Sequence, residues 1–327
     1  MKNRVVQILL SLALLALLIQ IVLIAPSQIR DAETKASIMP VPEVTPVGKE
    51  ADQSMKEMHM IETQEGRKEW ELWADKAESM KNEVLVMANV KTIFFSDKGV
   101  TFTVTGKKGT VQTKSKDMRI EGDVITRSSN GYTFRTEVMV YNSASRTLNS
   151  THPVEMYGPS DSRGQSLKLN GVGMNADMNK SSMDILSDVK AEKGLEDGRK
   201  VFIRSHRANF SGIGRTADFL GEVVLDMDNM RITGPQARFN YDSKRDLVKS
   251  VMFSGGTRVS DPEKWATAQS VDVDFDADKF VFRGSPRVVQ NNDELRGEVI
   301  TFLQGGKQVE VTGARAKVDE KRLEQSP

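Results

Sequence analysis

The sequence predicts an all-β protein assembled from one repeated unit, and three observations carry that expectation. In the run VTFTVTGKKGTVQTKSKDMRIEGDVITRSSNG, Val100 to Gly131, two alternating strands flank a polar turn at Ser115 and Lys116, and a Gly-x-Val step follows at Gly122 and Val124. Polar turns recur at Lys81-Asn82, Ala144-Ser145, Lys180-Ser181, Gly212-Ile213-Gly214, Ser243-Lys244, Ala277-Asp278 and Gly305-Gly306. Their spacing, about 28 to 36 residues, is that of repeat arrays. A valine follows each turn, at Val90, Val124, Val154, Val189, Val223, Val259, Val288 and Val318, with glycine shortly before it at Gly122, Gly221, Gly255, Gly284 and Gly313. Glycine there suits a bulge in a strand that changes direction. About eight such units are expected in series, none able to bury its apolar face until neighbours stack on it.

Composition narrows the function classes. The chain has 327 residues and a formal charge of +1, so no field draws in nucleic acid or another acidic polymer. Cysteine is absent, which removes thiol catalysis, thiolate metal sites and disulfides together.

The elements follow in order. Val5 to Ala25 carries no charge over 21 residues, enough to span a bilayer as a helix. Lys2 and Arg4 precede it, whereas Arg30 and Lys35 are diluted by Asp31 and Glu33, which predicts a cytoplasmic amino terminus and an exported remainder. The stretch exceeds the length of a cleaved signal core, so residues 1–25 are read as an uncleaved anchor. Residues 26–54, with Pro26, Pro40, Pro42 and Pro46 and no periodicity, read as an extended tether. Strand signals begin near Met58, with Trp70 and Leu72 on one face and Trp73 on the other, and no segment from 55 to 194 has helical apolar spacing. Phe102 and Val104 alternate with threonines; Phe134, Val138 and Val140 alternate with Arg135, Glu137 and Met139. Each strand therefore has a dry and a wet face. The charged, glycine-flanked stretch Ala191 to Gly198 divides a first β domain, 55–194, from a second, 195–327.

The anchor, the tether, and the run GRKEWELWADKAESMKNEVLVMANVKTIFFSDKG followed by VTFTVTGKKGTVQTKSKDMRIEGDVITRSSNGYTFRTEVMVYNSASRTL resemble the LptC family, the single-pass periplasmic component of lipopolysaccharide export, over roughly 58 to 192. The later copies, ADFLGEVVLDMDNMRITGPQARFNYDSKRDLV and GSPRVVQNNDELRGEVITFLQGGKQVEVTGARAKV, resemble the LptA/OstA bridge proteins of the same pathway over about 200 to 318. The resemblance implies one long or two consecutive open, twisted β-jellyrolls that hold acyl chains and join edge to edge with their neighbours. It implies as partners lipopolysaccharide, an inner-membrane ABC transporter, and an LptA-like bridge or outer-membrane acceptor.

Catalytic signals fall away. Gly171 to Ala176 matches G-x-G-x-x-A, with Asp188 at ribose-binding distance, but no helix follows, and a bent strand pair is the simpler account. Asp272, Asp274, Asp276 and Asp278 suggest a calcium loop, yet Ala277 and Arg283 stand where that loop needs Gly and Glu, so they read as the wet face of a strand. His59, His152 and His206 have no metal-ligand spacing, and no nucleophile or phosphate-loop motif occurs. The basic runs Lys107-Lys108 and Lys114 to Arg119 could meet lipid phosphates at an opening, and solvated turns are the simpler account. Sixteen methionines, among them Met87, Met118, Met156 and Met183, suit either an adaptable apolar lining or ordinary core.

The expectation is a non-enzymatic, cofactor-free conduit for lipopolysaccharide. Its apolar groove is expected at Phe102, Val104, Ile120, Phe134, Val138, Val140, Met156, Leu167, Leu169 and Ile185. Unpaired edges are expected near Trp70 and Leu72 at the amino-terminal end, and near Phe302, Val309 and Val311 at the other. The alternatives are a solid-cored membrane-anchored scaffold or stalk and a glycan-cleaving β-helix.

Overall fold

The computed structural model describes residues 53–80, 83–160, 166–195, 198–241, 248–291 and 293–317. The expected anchor, nearly all of the tether, the turns at 81–82 and 243–244, and Val318 lie outside them. No helix among the described residues is long and apolar enough to cross a membrane.

Nine long strands come first: β1 (Gln53–Gln64), β2 (Arg67–Met80), β3 (Val84–Phe95), β4 (Thr101–Gln112), β5 (Met118–Ser128), β6 (Thr133–Asn142), β7 (Thr147–Tyr157), β8 (Lys168–Asp177) and β9 (Ser182–Gly194). Each pairs antiparallel with the next. β10 (Lys200–Ser205) and β11 (Arg207–Ser211) are two halves of one rung, since both pair with β9 and both with β12 (Thr216–Met227). β13 (Met230–Tyr241), β14 (Val248–Ser260) and β15 (Lys264–Asp274) continue the ladder. Three more split rungs complete it: β16 (Lys279–Arg283) with β17 (Arg287–Gln290), β18 (Asp293–Arg296) with β19 (Val299–Leu303), and β20 (Gln308–Thr312) with β21 (Arg315–Lys317). β9, ending at Gly194, pairs directly with β10, beginning at Lys200, so the ladder continues from the first predicted domain into the second.

Sequence dictates where the rungs bend. Register shifts interrupt the pairing near mid-strand in β4–β5, β5–β6, β6–β7, β7–β8, β8–β9, β12–β13, β13–β14 and β14–β15. At the bend of β5, Gly122 and Asp123 have φ of 80° and 50°, a left-handed pair that glycine initiates at little cost. The valines that mark the repeat sit beside these bends: Val90, Val124, Val154, Val189, Val223 and Val288 are buried, and Val259 is partly so.

The bends also decide which face is dry. In β5, β7 and β9 the buried positions keep one parity through the bend. In β4, β6 and β8 they change parity: Phe134, Thr136 and Val138 are buried in the first half of β6, then Met139 and Tyr141 in the second. At each of these register shifts the extra residue lies in β5, β7 or β9, so across the bend their partners β4, β6 and β8 advance one residue fewer and it is their buried positions that change parity. Strict alternation therefore misplaces β6, where Val140 lies on the opposite face from the core and Met139 lies within it.

The amino-terminal edge also differs from expectation. Trp70 and Leu72 are fully buried in β2, which pairs on both sides, and the outer strand is β1. The run Asp272 to Asp278 is strand only as far as Asp274; Asp274 then accepts the backbone N–H groups of Asp276 and Ala277 as a turn cap. Gly171 to Ala176 lies in β8, whose bend at Gly173 has a φ of 75° and no helix follows it.

Gly106 in β4 shows how closely adjacent rungs approach. A Cβ at that position would lie 2.5 Å from Ile120 Cγ2 and 3.1 Å from the Glu121 carbonyl oxygen. Gly106→Ala is expected to cost about 1–3 kcal/mol by overpacking, seen as a lower urea midpoint with an unchanged slope.

Candidate functional site

Antiparallel succession places alternate turns on opposite rims of the ladder. One rim carries the turns after β3, β5 and β7, and the other those after β6, β8 and β11. Since each rung bends midway, the two arms fold toward each other and the rims face across a mouth. Between them lies an apolar cavity of about 520 Å³, within the range of small-molecule sites. Phe102, Tyr132, Phe134 and Leu167 line it from the first rim, and Leu148, Met174, Met183, Phe210 and Tyr241 from the second. Lys98, Asp177 and Arg215 also line it, beside the turns. It draws on residues from both predicted domains. A second cavity of about 310 Å³ lies among Met230, Trp265, Phe280, Phe282 and Phe302.

The expected groove residues separate by their place along the strand. Phe102, Phe134 and Leu167, near strand ends, line the larger cavity. Val104, Ile120, Met156, Leu169 and Ile185 belong to the packed core, and each is at most 2% exposed. Val138 is buried outside the main cluster, and Val140 is turned away from it. Of the expected edge residues, Phe302 is interior, in a strand paired with both β16 and β20, and it lines the smaller cavity. Val309 and Val311 lie in β20, which pairs only with β19 among the described strands. The methionines named above are all core, and Met183 also lines the cavity.

Sequence reasoning missed Leu148, Met174 and Phe210 on the second rim. A usable signal was present: a large apolar residue one to four positions from a polar turn, as in Phe102, Phe134, Leu148, Leu167, Met183 and Phe210.

At the amino-terminal end of the larger cavity the rims are joined. Arg146, in the turn after β6, places Nε 2.8 Å from Glu69 Oε2 and Nη1 2.9 Å from Asp97 Oδ1. Its Nη2 donates to the Phe95 carbonyl at 2.8 Å, and Nη1 donates to Asn179 Oδ1 at 3.0 Å. The Arg146 and Glu69 side chains are only 12% and 7% exposed. Arg67 also reaches Asp97, at 3.1 Å, and Lys116 reaches Glu62 at 3.3 Å. Behind this cluster Trp70, Phe94, Tyr141 and Leu148 are all buried, with the Phe94 and Tyr141 rings 4.5 Å apart. Burial, with the Glu69 charge close by, pushes the Tyr141 hydroxyl up to about 12. The hydrogen bond from Arg146 holds the Asp97 carboxyl below its ordinary range.

On the outer face His59 stacks on Trp73 at 4.9 Å and meets Glu71 at 2.8 Å. The basic runs are paired with neighbouring carboxylates, Lys107 with Asp123, Lys114 with Glu83 and Arg119 with Glu121. Among the described residues no group of His, Asp and Glu is arranged to hold a metal.

These features define a class: a long antiparallel ladder, bent along its length, whose two arms enclose apolar cavities and whose terminal strands, among the described residues, pair on one side only. Residues 12–193 match the model of the family described as lipopolysaccharide-assembly, LptC-related, and the chain belongs to that family. Residues 203–308 match the family described as LptA/(LptD N-terminal domain) LPS transport protein. Membership makes this a non-catalytic component of lipopolysaccharide transport, associated with the inner membrane and largely periplasmic. Among solved structures it is similar to LptH of Pseudomonas aeruginosa, the LptA-homologous periplasmic component of the lipopolysaccharide transport device. That match has 13% identity and a TM-score of 0.33, covering 36% of this chain and 94% of that one. No curated protein matches the chain.

Two substitutions separate the buried from the exposed part of the Arg146 cluster. Glu69→Gln leaves a mostly buried guanidinium with only the more exposed Asp97 carboxylate and is expected to cost about 3 kcal/mol in urea unfolding, the low end for a broken buried pair. Asp97→Asn is expected to lower the urea midpoint much less, since an exposed ion pair contributes little. Because Asp97 is held below the ordinary aspartate range, its contribution is complete at neutral pH and is lost only as pH falls through that lowered value.

Proposed function

We propose that the chain is a non-enzymatic conduit for lipopolysaccharide, accepting the lipid from an inner-membrane ABC transporter and passing it outward along the ladder. The observation that carries this reading is the apolar cavity between the two rims, in a chain of a lipopolysaccharide-assembly family. Each methylene transferred from water into that lining contributes about 0.8 kcal/mol, so acyl chains are held without chemistry while the polar headgroup remains at the mouth. Residues 1–25 anchor the chain, 26–54 hold the β portion off the membrane, and 55–194 and 195–327 act as receiving and delivering segments of one track.

The two unpaired edges give the track its direction. β1 faces the transporter and β20 presents its free edge to an LptA-like bridge protein or an outer-membrane acceptor, by strand addition.

A photo-crosslinker at Phe102, Phe134 or Leu167 is expected to trap lipopolysaccharide in cells, and one at Val140 is expected to give background only. Equal labelling at all four positions would remove the groove in favour of a solid scaffold. Val309→Lys, a charge on the exposed edge strand, is expected to reduce co-purification of the bridge protein several-fold while leaving labelling at Phe134 intact.

A further inference from the structure

We propose that the Arg146 cluster is a gate: a clasp between the two rims that must open before lipid arriving from the amino-terminal edge enters the cavity. The inference rests on the conduit reading and concerns how the same site is filled.

Position is the first ground. Asp97 is followed directly by Lys98, and Arg146 lies two residues before Leu148; Lys98 and Leu148 both line the cavity. The clasp is therefore the cavity's boundary on the side of β1. Behind it there is no free passage, since Trp70, Phe94, Tyr141 and Leu148 are each at most 2% exposed. A lipid moving along the ladder from β1 meets a closed interior before it meets an open one.

Construction is the second ground. Glu69, Phe95 and Asp97 belong to one rim and Arg146 to the other, so one side chain holds the two arms together. Asn179, from Arg146's own rim, fixes the guanidinium in place. A planar guanidinium making three contacts across the mouth loses them together when the rims part, which makes opening a two-state event. Lys116 and Glu62 form a second, more exposed tie across the same mouth, nearer β1.

Polar chemistry at this boundary also suits a gate better than a permanent seam. An apolar seam would hold the arms closed through water exclusion alone, and an acyl chain would compete for the same surface. An ion pair releases its partners to water or to the charged headgroup of the arriving lipid.

The absence of cysteine makes the test direct. In the full-length chain Asp97→Cys and Arg146→Cys are joined by a cleavable bis-maleimide, and photo-crosslinkers are placed at Met60, before the clasp, and at Phe134, beyond it. Membrane vesicles carrying the ATP-driven transporter supply lipopolysaccharide. The bridged protein is expected to label at Met60 but to lose at least tenfold of its labelling at Phe134, and cleavage of the bridge is expected to restore it. A second variant, Glu69→Met with Arg146→Met, removes the clasp without stranding a charge, and lipid is expected to reach Phe134 several-fold faster. Labelling at Phe134 at the wild-type rate in the bridged protein, or an unchanged rate in the folded double-Met variant, overturns the gate. Absence of labelling at Phe134 in the unmodified chain overturns the conduit itself, a different result from either.

Discussion

Every rung of the ladder has to bury one face in each of two arms, so each strand must turn at its middle without giving up its hydrogen bonds. A bulge is the physical solution, and it has a geometric consequence. A left-handed pair such as Gly122-Asp123 bends β5 while keeping the parity of its buried residues. The partners of β5, β7 and β9, namely β4, β6 and β8, carry no extra residue and instead change the parity of their buried positions at the bend. Bulged and unbulged strands alternate from β4 to β9, and neighbouring strands can then curve together. The two arms, the mouth between their rims and the cavity within it all follow from that alternation.

Packing and opening are distributed along each strand. Near the bends, Val104, Ile120 and Ile185 fill the space completely, with Gly106 admitting the Ile120 side chain at a distance no other residue would allow. Toward the rims the arms diverge faster than side chains can follow, and large residues such as Phe102, Phe134 and Phe210 line a space they do not fill. Stability and function thereby occupy different parts of the same strands. The buried aromatic group at Trp70, Phe94 and Tyr141 is the exception, since there the arms close completely and Arg146 ties the rims above them.

The repeat, its number of units and its bend positions were legible because they are local. Polar turns interrupt apolar alternation, and glycine or valine at a bend answers to backbone geometry a few residues away. Three of the expected lining residues, Phe102, Phe134 and Leu167, reached the cavity because they flank turns. Val140 did not, because its face depends on bulges in the neighbouring strands β5 and β7 that β6 itself does not mark. Trp70 and Leu72 were placed at an edge because their strand is the first with strong signal; the weaker, mostly exposed β1 pairs outside it.

By itself the sequence determined an all-β repeat with dry and wet faces, and it carried the family resemblance. Both depend on residue patterns that repeat at short range. Only the tertiary structure decided that the rims oppose one another, that Leu148 and Phe210 meet Phe102 and Phe134 across a cavity, and that Arg146 reaches Glu69 and Asp97. Asp97 and Glu69 lie 49 and 77 residues from Arg146 in the chain, and nothing in a turn such as Ser-Ala-Ser-Arg distinguishes a solvated arginine from a clasp. The twist accumulated over several bent rungs brings them together, and no local pattern records that sum.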